Sequence, residues 1–136
     1  MRDILFRSTT VEHYDRALRF SRTYADRCEH LVDSEPASWP SSAQAVFDDT
    51  GRAHFTRIVV GPCTIILFYF YQDELEATID PREVTDERSF QATLKYFRGL
   101  GETMNLNGCI TEESSPDHRW FTFDRKAGRV TFIRLY

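Results

Sequence analysis

The sequence predicts a single α+β domain with an antiparallel β-sheet, a long N-terminal helix and a second helix packed on one face. Three observations predict this class. Residues 64–71 are eight consecutive β-branched, aliphatic or aromatic residues, a run that is too short to cross a membrane and is typical of a buried strand. Two other segments repeat apolar residues at three- and four-residue steps, which is the spacing of an amphipathic helix. Short turns connect several consecutive strands, and such connections favour antiparallel neighbours.

The start of the chain predicts a strand followed by a long helix. Arg2–Arg7 is expected to form a short strand. Thr9 and Glu12 match a capping box, in which a hydroxyl and a carboxylate bond the first free amides of a helix. Apolar residues then recur at helical steps, and this pattern predicts one amphipathic helix over residues 10–32.

Proline and glycine mark the next segment. Residues 33–42 contain two prolines and four serines, and we expect them to form a loop. Residues 40–51 predict a short helix that has Pro40 in its first turn and ends near Gly51.

The middle of the chain predicts three strands. His54–Val60 and residues 64–71 flank the sequence Gly-Pro-Cys, which we expect to form a tight hairpin turn. Because residues 64–71 are continuously apolar, we expect this strand to be central and buried on both faces. Residues 75–79 alternate apolar and polar side chains, so they predict a third strand with one solvated face.

The last third predicts a helix and three strands. Residues 86–104 carry an apolar stripe, and acidic residues at their start favour the positive end of a helix. The sequence Asn-Leu-Asn-Gly at residues 105–108 ends this helix. Strands are then expected over residues 109–113, 120–124 and 129–135.

Length and cysteine content bound the protein class. The 136 residues are enough for one domain with a core that needs no disulfides. Cys28, Cys63 and Cys109 are an odd number at wide spacing, which predicts free thiols in a reducing compartment. The first residues lack the apolar segment of a secretion signal, so we expect a cytoplasmic location.

The charges are unevenly distributed along a chain whose net charge is −4. Residues 72–90 hold seven acidic against two basic residues, and residues 111–117 hold three acidic residues. Nucleic-acid binding needs a basic face, so this chain is not expected to bind nucleic acid. Acidic clusters suit a cationic protein partner, with solvated loops and helix starts as the alternative interpretation.

The motifs of common chemistries are missing from the sequence. The four histidines stand far apart, and neither His-x-x-x-His nor Cys-x-x-Cys spacing occurs. The glycines lie singly at turn positions and form no phosphate-binding loop. We therefore expect no metal site, no cofactor and no catalytic residues. The one pairing that would suit an enzyme is Cys109 as nucleophile with His118 as base, on neighbouring strands.

Part of the C-terminal region is similar to small bacterial immunity proteins. The similarity rests on residues 90–102 (FQATLKYFRGLGE), 109–113 (CITEE) and 114–117 (SSPD). In those proteins a helix containing Phe-x-x-x-Leu-Gly leads to a strand and a Thr-x-Glu-x-Ser-Pro turn before a final hairpin. Here the helical motif, Phe-Arg-Gly-Leu-Gly at residues 97–101, is one residue shorter.

The resemblance implies a protein partner. Immunity proteins of contact-dependent or type VI toxin systems neutralise a cognate antibacterial toxin by tight stoichiometric binding, commonly through an acidic surface that meets a basic active-site cleft. Such a protein would be cytoplasmic, would not be an enzyme, and would not act on nucleic acid or membranes.

Two acidic groups are the expected partner-binding residues. The first follows residues 64–71, and the second lies near the turn before the last hairpin; they are Asp73, Glu74 and Glu76, and Glu112, Glu113 and Asp117. Their expected role is charge steering and hydrogen bonding. A small-ligand or regulatory module with a pocket between sheet and helices is the alternative function. A homodimer through the aromatic hairpin is compatible with either function.

Overall fold

The computed structural model describes residues 2–133, which form one antiparallel sheet of nine strands and three α-helices. The strands are β1 (Arg2–Arg7), β2 (Arg27–Val32), β3 (Glu35–Ala37), β4 (His54–Val60), β5 (Cys63–Tyr71), β6 (Glu74–Ile79), β7 (Gly108–Glu112), β8 (Ser115–Asp124) and β9 (Arg129–Phe132). The helices are α1 (Val11–Tyr24), α2 (Ala43–Asp48) and α3 (Glu87–Met104), and Pro81–Glu83 form a short 3-10 turn. The predicted α+β class with an antiparallel sheet is confirmed. Within the described range, no helix has the length and apolar character needed to span a membrane.

The N-terminal strand joins two parts of the sheet. The strand order is β3-β2-β4-β5-β6-β1-β7-β8-β9. In β1, Leu5 lies opposite Glu76 of β6 on one side and opposite Cys109 of β7 on the other. Strand β5 lies inside the sheet as expected, but β6 takes the middle position.

The first helix is shorter than the sequence predicts. Helix α1 ends at Tyr24, and the C-terminal part of the expected helix forms β2 instead. In β2, Cys28 pairs with Ile58 and His30 with Thr56 of β4. Cys28, His30 and Val32 fit the two-residue repeat of a strand as well as the helical repeat. Hydrogen bonding to β4, which is distant in sequence, makes this segment a strand.

The cap of α1 lies one residue later than predicted. The Thr10 hydroxyl accepts a hydrogen bond from the His13 amide, and His13 Nδ1 accepts one from the Thr10 amide at 2.9 Å. Thr9 is buried, and its hydroxyl donates to the Gln72 carbonyl at 2.7 Å. Thr9 therefore stabilises the β5–β6 turn by a hydrogen bond and is not the helix cap.

The segment predicted as a loop contains an edge strand. Strand β3 pairs with β2, with Pro36 opposite Leu31. Proline is tolerated there because an edge strand has one row of amides without a ladder partner. Helix α2 begins after the cap residue Ser42, so Pro40 precedes this helix and is not in its first turn.

The hairpin between β4 and β5 matches the prediction. Val60 pairs with Cys63 across the two turn residues, Gly61 and Pro62. Gly61 has a φ of 58°. Glycine with positive φ at the first turn position suits the type II′ turn of two-residue hairpins.

Helix α3 also matches the prediction, because both of its ends carry local signals. The Asp86 carboxylate accepts from the Ser89 amide at 2.8 Å, and Asn105 ends the helix with a φ of 55°. The following strands lie where expected, although β8 starts earlier, at Ser115. Of the last predicted strand, residues 134–135 lie outside the described residues.

The core lies between the sheet and the helices. Its largest side chains include Phe6 of β1, Ile65 of β5 and Phe97 of α3. Helices α1 and α3 approach closely at Gly99, where a Cβ would lie 2.2 Å from Cζ of Phe20. Glycine at this position is therefore a packing requirement.

The opposite face of the sheet carries no helix among the described residues. In β5, Cys63, Ile65 and Leu67 are buried, whereas alternate residues such as Ile66 and Phe68 are partly exposed. The expectation that this strand is buried on both faces is wrong, since all three helices pack on the same side. We call the uncovered side the open face.

Candidate partner-binding surface

An aromatic pair lies on the open face at the end of β5. The rings of Phe68 and Phe70 are stacked, with centroids 4.7 Å apart and an interplanar angle of 10°. Phe70 is 59% exposed and the following Tyr71 is 62% exposed. Large aromatic side chains with this exposure are typical anchors of protein interfaces.

Carboxylates lie beside these rings. Glu76 is directly opposite Phe68 in the β5–β6 ladder and opposite Leu5 in the β1–β6 ladder. Partial burial raises the pKa of the Glu76 carboxyl, and the neighbouring Asp3 and Glu74 carboxyls raise it further. A cation brought next to Glu76 would relieve this unfavourable environment.

The exposed end of this region is the turn between β5 and β6. Asp73 is exposed on the turn, and Glu74 lies 3.7 Å from the Arg7 guanidinium. An exposed ion pair of this kind contributes little to stability and can exchange partners. We call Phe68, Phe70, Tyr71, Asp73, Glu74 and Glu76 together the acidic–aromatic patch.

Buried hydrogen bonds hold the turn that carries the patch. The buried Tyr14 hydroxyl lies 2.7 Å from the Tyr71 carbonyl oxygen and 2.8 Å from that of Glu74. The Thr9 amide donates to the Asp73 carbonyl at 3.2 Å. The start of α1 therefore fixes the turn, and a surface fixed before binding loses less conformational entropy when a partner docks.

The two predicted acidic groups do not form one cluster. Arg7, at one end of β1, pairs with Glu74, whereas Arg2, at the other end, pairs with Glu112. Five residue steps separate these ends, so the groups are about 17 Å apart along the strand. The Glu112 carboxylate lies 3.3 Å from His118 Nδ1, while Glu113 and Asp117 are exposed near the β7–β8 turn.

The structure separates Cys109 from His118. Cys109 pairs with Thr122 of β8, while His118 lies beside Glu112 near the opposite end of β7. Burial raises the pKa of the Cys109 thiol, although Arg119 and Arg7 act in the opposite direction. A raised pKa keeps the thiol protonated at neutral pH, which is unfavourable for a nucleophile.

A buried chain of hydrogen bonds crosses β2, β4 and β5 on the helix side of the sheet. His30 Nε2 lies 2.8 Å from His54 Nδ1, and His54 Nε2 lies 2.8 Å from the Asp49 carboxylate. In the other direction, His30 Nδ1 is 3.1 Å from the Thr56 hydroxyl, which is 2.6 Å from the Tyr69 hydroxyl. If each hydroxyl and each imidazole N–H donates in the direction of Asp49, every polar atom of this hydrogen-bond chain has a partner while both imidazoles are neutral.

Burial, together with the smaller effect of the neighbouring His54, lowers the pKa of His30 to about 4. No sequence motif indicates this pair, because the helix expected over residues 10–32 places His30 outside the sheet. Within residues 2–133, no three His, Cys, Asp or Glu side chains are grouped so that they could hold a metal ion. This chain of hydrogen bonds instead connects the Asp49–Arg52 ion pair to the core.

Comparison with known proteins gives no functional assignment for this surface. The chain matches no protein-family model, and it has no significant match among characterised proteins or solved structures.

Proposed function

We propose that the protein is an immunity protein that binds a cognate antibacterial toxin domain in the cytoplasm and blocks its active site. One observation carries the proposal: Phe68 and Glu76 lie opposite each other on a sheet face that no described helix covers. This arrangement places an apolar anchor and an anionic group within one docking surface.

The charge of the patch favours a cationic partner. Asp73, Glu74 and Glu76 place three carboxylates in the patch, and the guanidinium of Arg7 lies 3.7 Å from Glu74. A toxin whose active-site cleft is basic would present the complementary potential, which speeds association and excludes acidic competitors. Occupation of that cleft by the patch would exclude the toxin's substrate.

The aromatic side chains supply the other part of the binding energy. Phe70 and Tyr71 expose most of their surface, and their burial against a partner would remove apolar area from water. Because Tyr14 and Thr9 hydrogen-bond to backbone carbonyls of the turn, the backbone that carries these rings is held before binding. The patch therefore combines aromatic anchors on a fixed turn with an anionic rim.

The proposal predicts a toxin gene beside this one, and it is tested by co-expression with the toxin domain which that gene encodes. We expect the two proteins to co-purify in equal amounts and the cells to survive toxin expression. The variant Asp73→Lys/Glu74→Lys/Glu76→Lys should fail to protect the cells.

The matched control is Glu112→Lys/Glu113→Lys/Asp117→Lys, which changes the net charge by the same amount at the other end of β1. This control should still protect. Protection by the first variant, or loss of protection in both variants alike, would contradict the assignment of the surface.

A further inference from the structure

A second candidate site lies on the helix side of the molecule, away from the acidic–aromatic patch. A groove of about 740 Å³ runs between α1 and the segment that precedes α2. Arg19 and Arg22 line one wall, and Trp39, Ser41 and Ser42 line the other. This volume is within the usual range of small-molecule sites.

The Trp39 ring holds one guanidinium in place. Cζ of Arg22 lies 4.9 Å from the centroid of the Trp39 ring. A guanidinium that rests on a ring by its face keeps its N–H donors at its edge, where they can bind an anion in a bidentate manner. Arg19 is three residues earlier on α1, so both cations lie on the same side of the helix.

Two carboxylates near the groove have partners of their own. Asp15 lines the groove, but its carboxylate accepts from the Ala43 amide at 2.7 Å. Glu12 pairs with Arg16 at 3.2 Å, one helical turn before the groove. Among residues 2–133, neither Arg19 nor Arg22 forms an ion pair. The positive charge of these two arginines is therefore available to an anion that enters the groove.

Hydroxyl groups complete the wall opposite the arginines. Ser41 is exposed in the groove, and the Ser42 hydroxyl accepts from the Ala45 amide at 3.1 Å, which leaves its own proton free to donate. Guanidinium and hydroxyl donors that converge on one space are the groups that bind phosphate oxygens.

We propose that this groove binds a small phosphorylated molecule, with the phosphate held between Arg19 and Arg22 and with Ser41 as an additional donor. The site is independent of the proposed immunity function, since the groove and the patch lie on opposite sides of the sheet. Either inorganic phosphate or the phosphate of an organic ester would satisfy the same donors.

Tryptophan fluorescence provides a direct test, because the chain contains two tryptophans and one of them lines the groove. The Trp120→Phe variant makes Trp39 the only fluorophore. Titration of this variant with adenosine monophosphate, inorganic phosphate and adenosine separates the possible sources of binding. We expect a saturable change with the phosphate-bearing probes, with a dissociation constant of about 1 mM or tighter, and none with adenosine.

Substitutions in the same background assign the binding to the two arginines. Arg19→Ala and Arg22→Ala should each weaken phosphate binding about tenfold or more, and Arg22→Lys should weaken it because lysine lacks the planar fork. The control is Arg16→Ala on the same helix, which should bind like the parent variant.

Three results would overturn the proposal. They are the absence of a saturable response to both phosphate-bearing probes, equal binding of adenosine, and equal weakening by Arg16→Ala. A response to adenosine monophosphate alone would identify an organic ester as the ligand, and a response to both probes would identify the phosphate group itself.

Discussion

His30 Nε2 and His54 Nδ1 are 2.8 Å apart in the interior of the protein, on two strands joined by the β2–β4 ladder. Both imidazoles cannot be protonated there, because two adjacent N–H groups would then face each other. His30 is 2% exposed, so protonation would also place a charge in the core.

This pair predicts a loss of stability at mildly acidic pH. The pKa of His30 is lowered to about 4 in the folded state by burial and then by His54. The unfolded chain, with its ordinary pKa of about 6.5, binds more protons as the pH falls below that value, so stability is complete above pH 6.5 and declines toward pH 4. The total loss is on the order of 3 kcal/mol by about pH 4, and about 2 kcal/mol of it falls between pH 7.5 and pH 5, where urea unfolding can measure it.

His30→Asn tests the assignment of this effect. The variant should be less stable at pH 7.5 by about 1–3 kcal/mol, since Thr56 and His54 lose a partner, but its stability should change less between pH 6.5 and pH 5. His118→Ala is the control for the loss of a histidine, because the His118 side chain is 62% exposed and its removal should cost little stability at pH 7.5. The same steep profile in His30→Asn would mean that another group titrates.

Tyr14→Phe should loosen the turn that carries the acidic–aromatic patch. The variant leaves the Tyr71 and Glu74 carbonyls without the buried hydroxyl, and we expect the free energy of unfolding to fall by about 1–2 kcal/mol. Hydrogen exchange should accelerate at the β5–β6 turn. Tyr24→Phe is the matched control, since Tyr24 is 43% exposed, and a similar destabilisation by both changes would argue against a specific role for Tyr14.

Gly99→Ala should destabilise the packing of α1 against α3. The added Cβ would meet the Phe20 ring at 2.2 Å, and overpacking of this kind costs about 1–3 kcal/mol. The effect is measured as a lower midpoint of thermal unfolding. Gly51→Ala adds a methyl group where nothing lies within 4 Å and should leave the midpoint nearly unchanged. Addition of Phe20→Leu to Gly99→Ala should restore part of the loss; no recovery would mean that the clash lies elsewhere.

The sequence predicts best where structure depends on neighbours along the chain. Helix α3 has an acidic cap at Asp86, an apolar stripe and a residue at Asn105 that accepts a left-handed conformation, so each of its boundaries is local. The Gly61–Pro62 turn is equally local, because glycine and proline restrict the backbone at their own positions.

Non-local pairing explains the errors. Residues 27–32 fit both a helical and a strand period, and only the ladder with β4 makes them a strand. The same ladder brings His30 to His54. A helix that extends to residue 32, as the sequence predicts, would not bring these two histidines together. The apolar run in β5 has the same composition whether one face or both faces are covered, so composition alone predicts that Phe68 and Phe70 are buried. For the same reason, sequence alone could not place the two acidic groups at opposite ends of β1.

Docking of a cationic protein partner on the acidic–aromatic patch is tested by the affinity for the cognate toxin domain, measured at low and high salt. We expect Asp73→Lys/Glu74→Lys/Glu76→Lys to slow association by about tenfold to a hundredfold at low salt and Phe70→Ala to accelerate dissociation. Glu112→Lys/Glu113→Lys/Asp117→Lys should bind like the unmodified protein. Unchanged affinity in the patch variants, or a loss confined to the Glu112 group, would contradict the account.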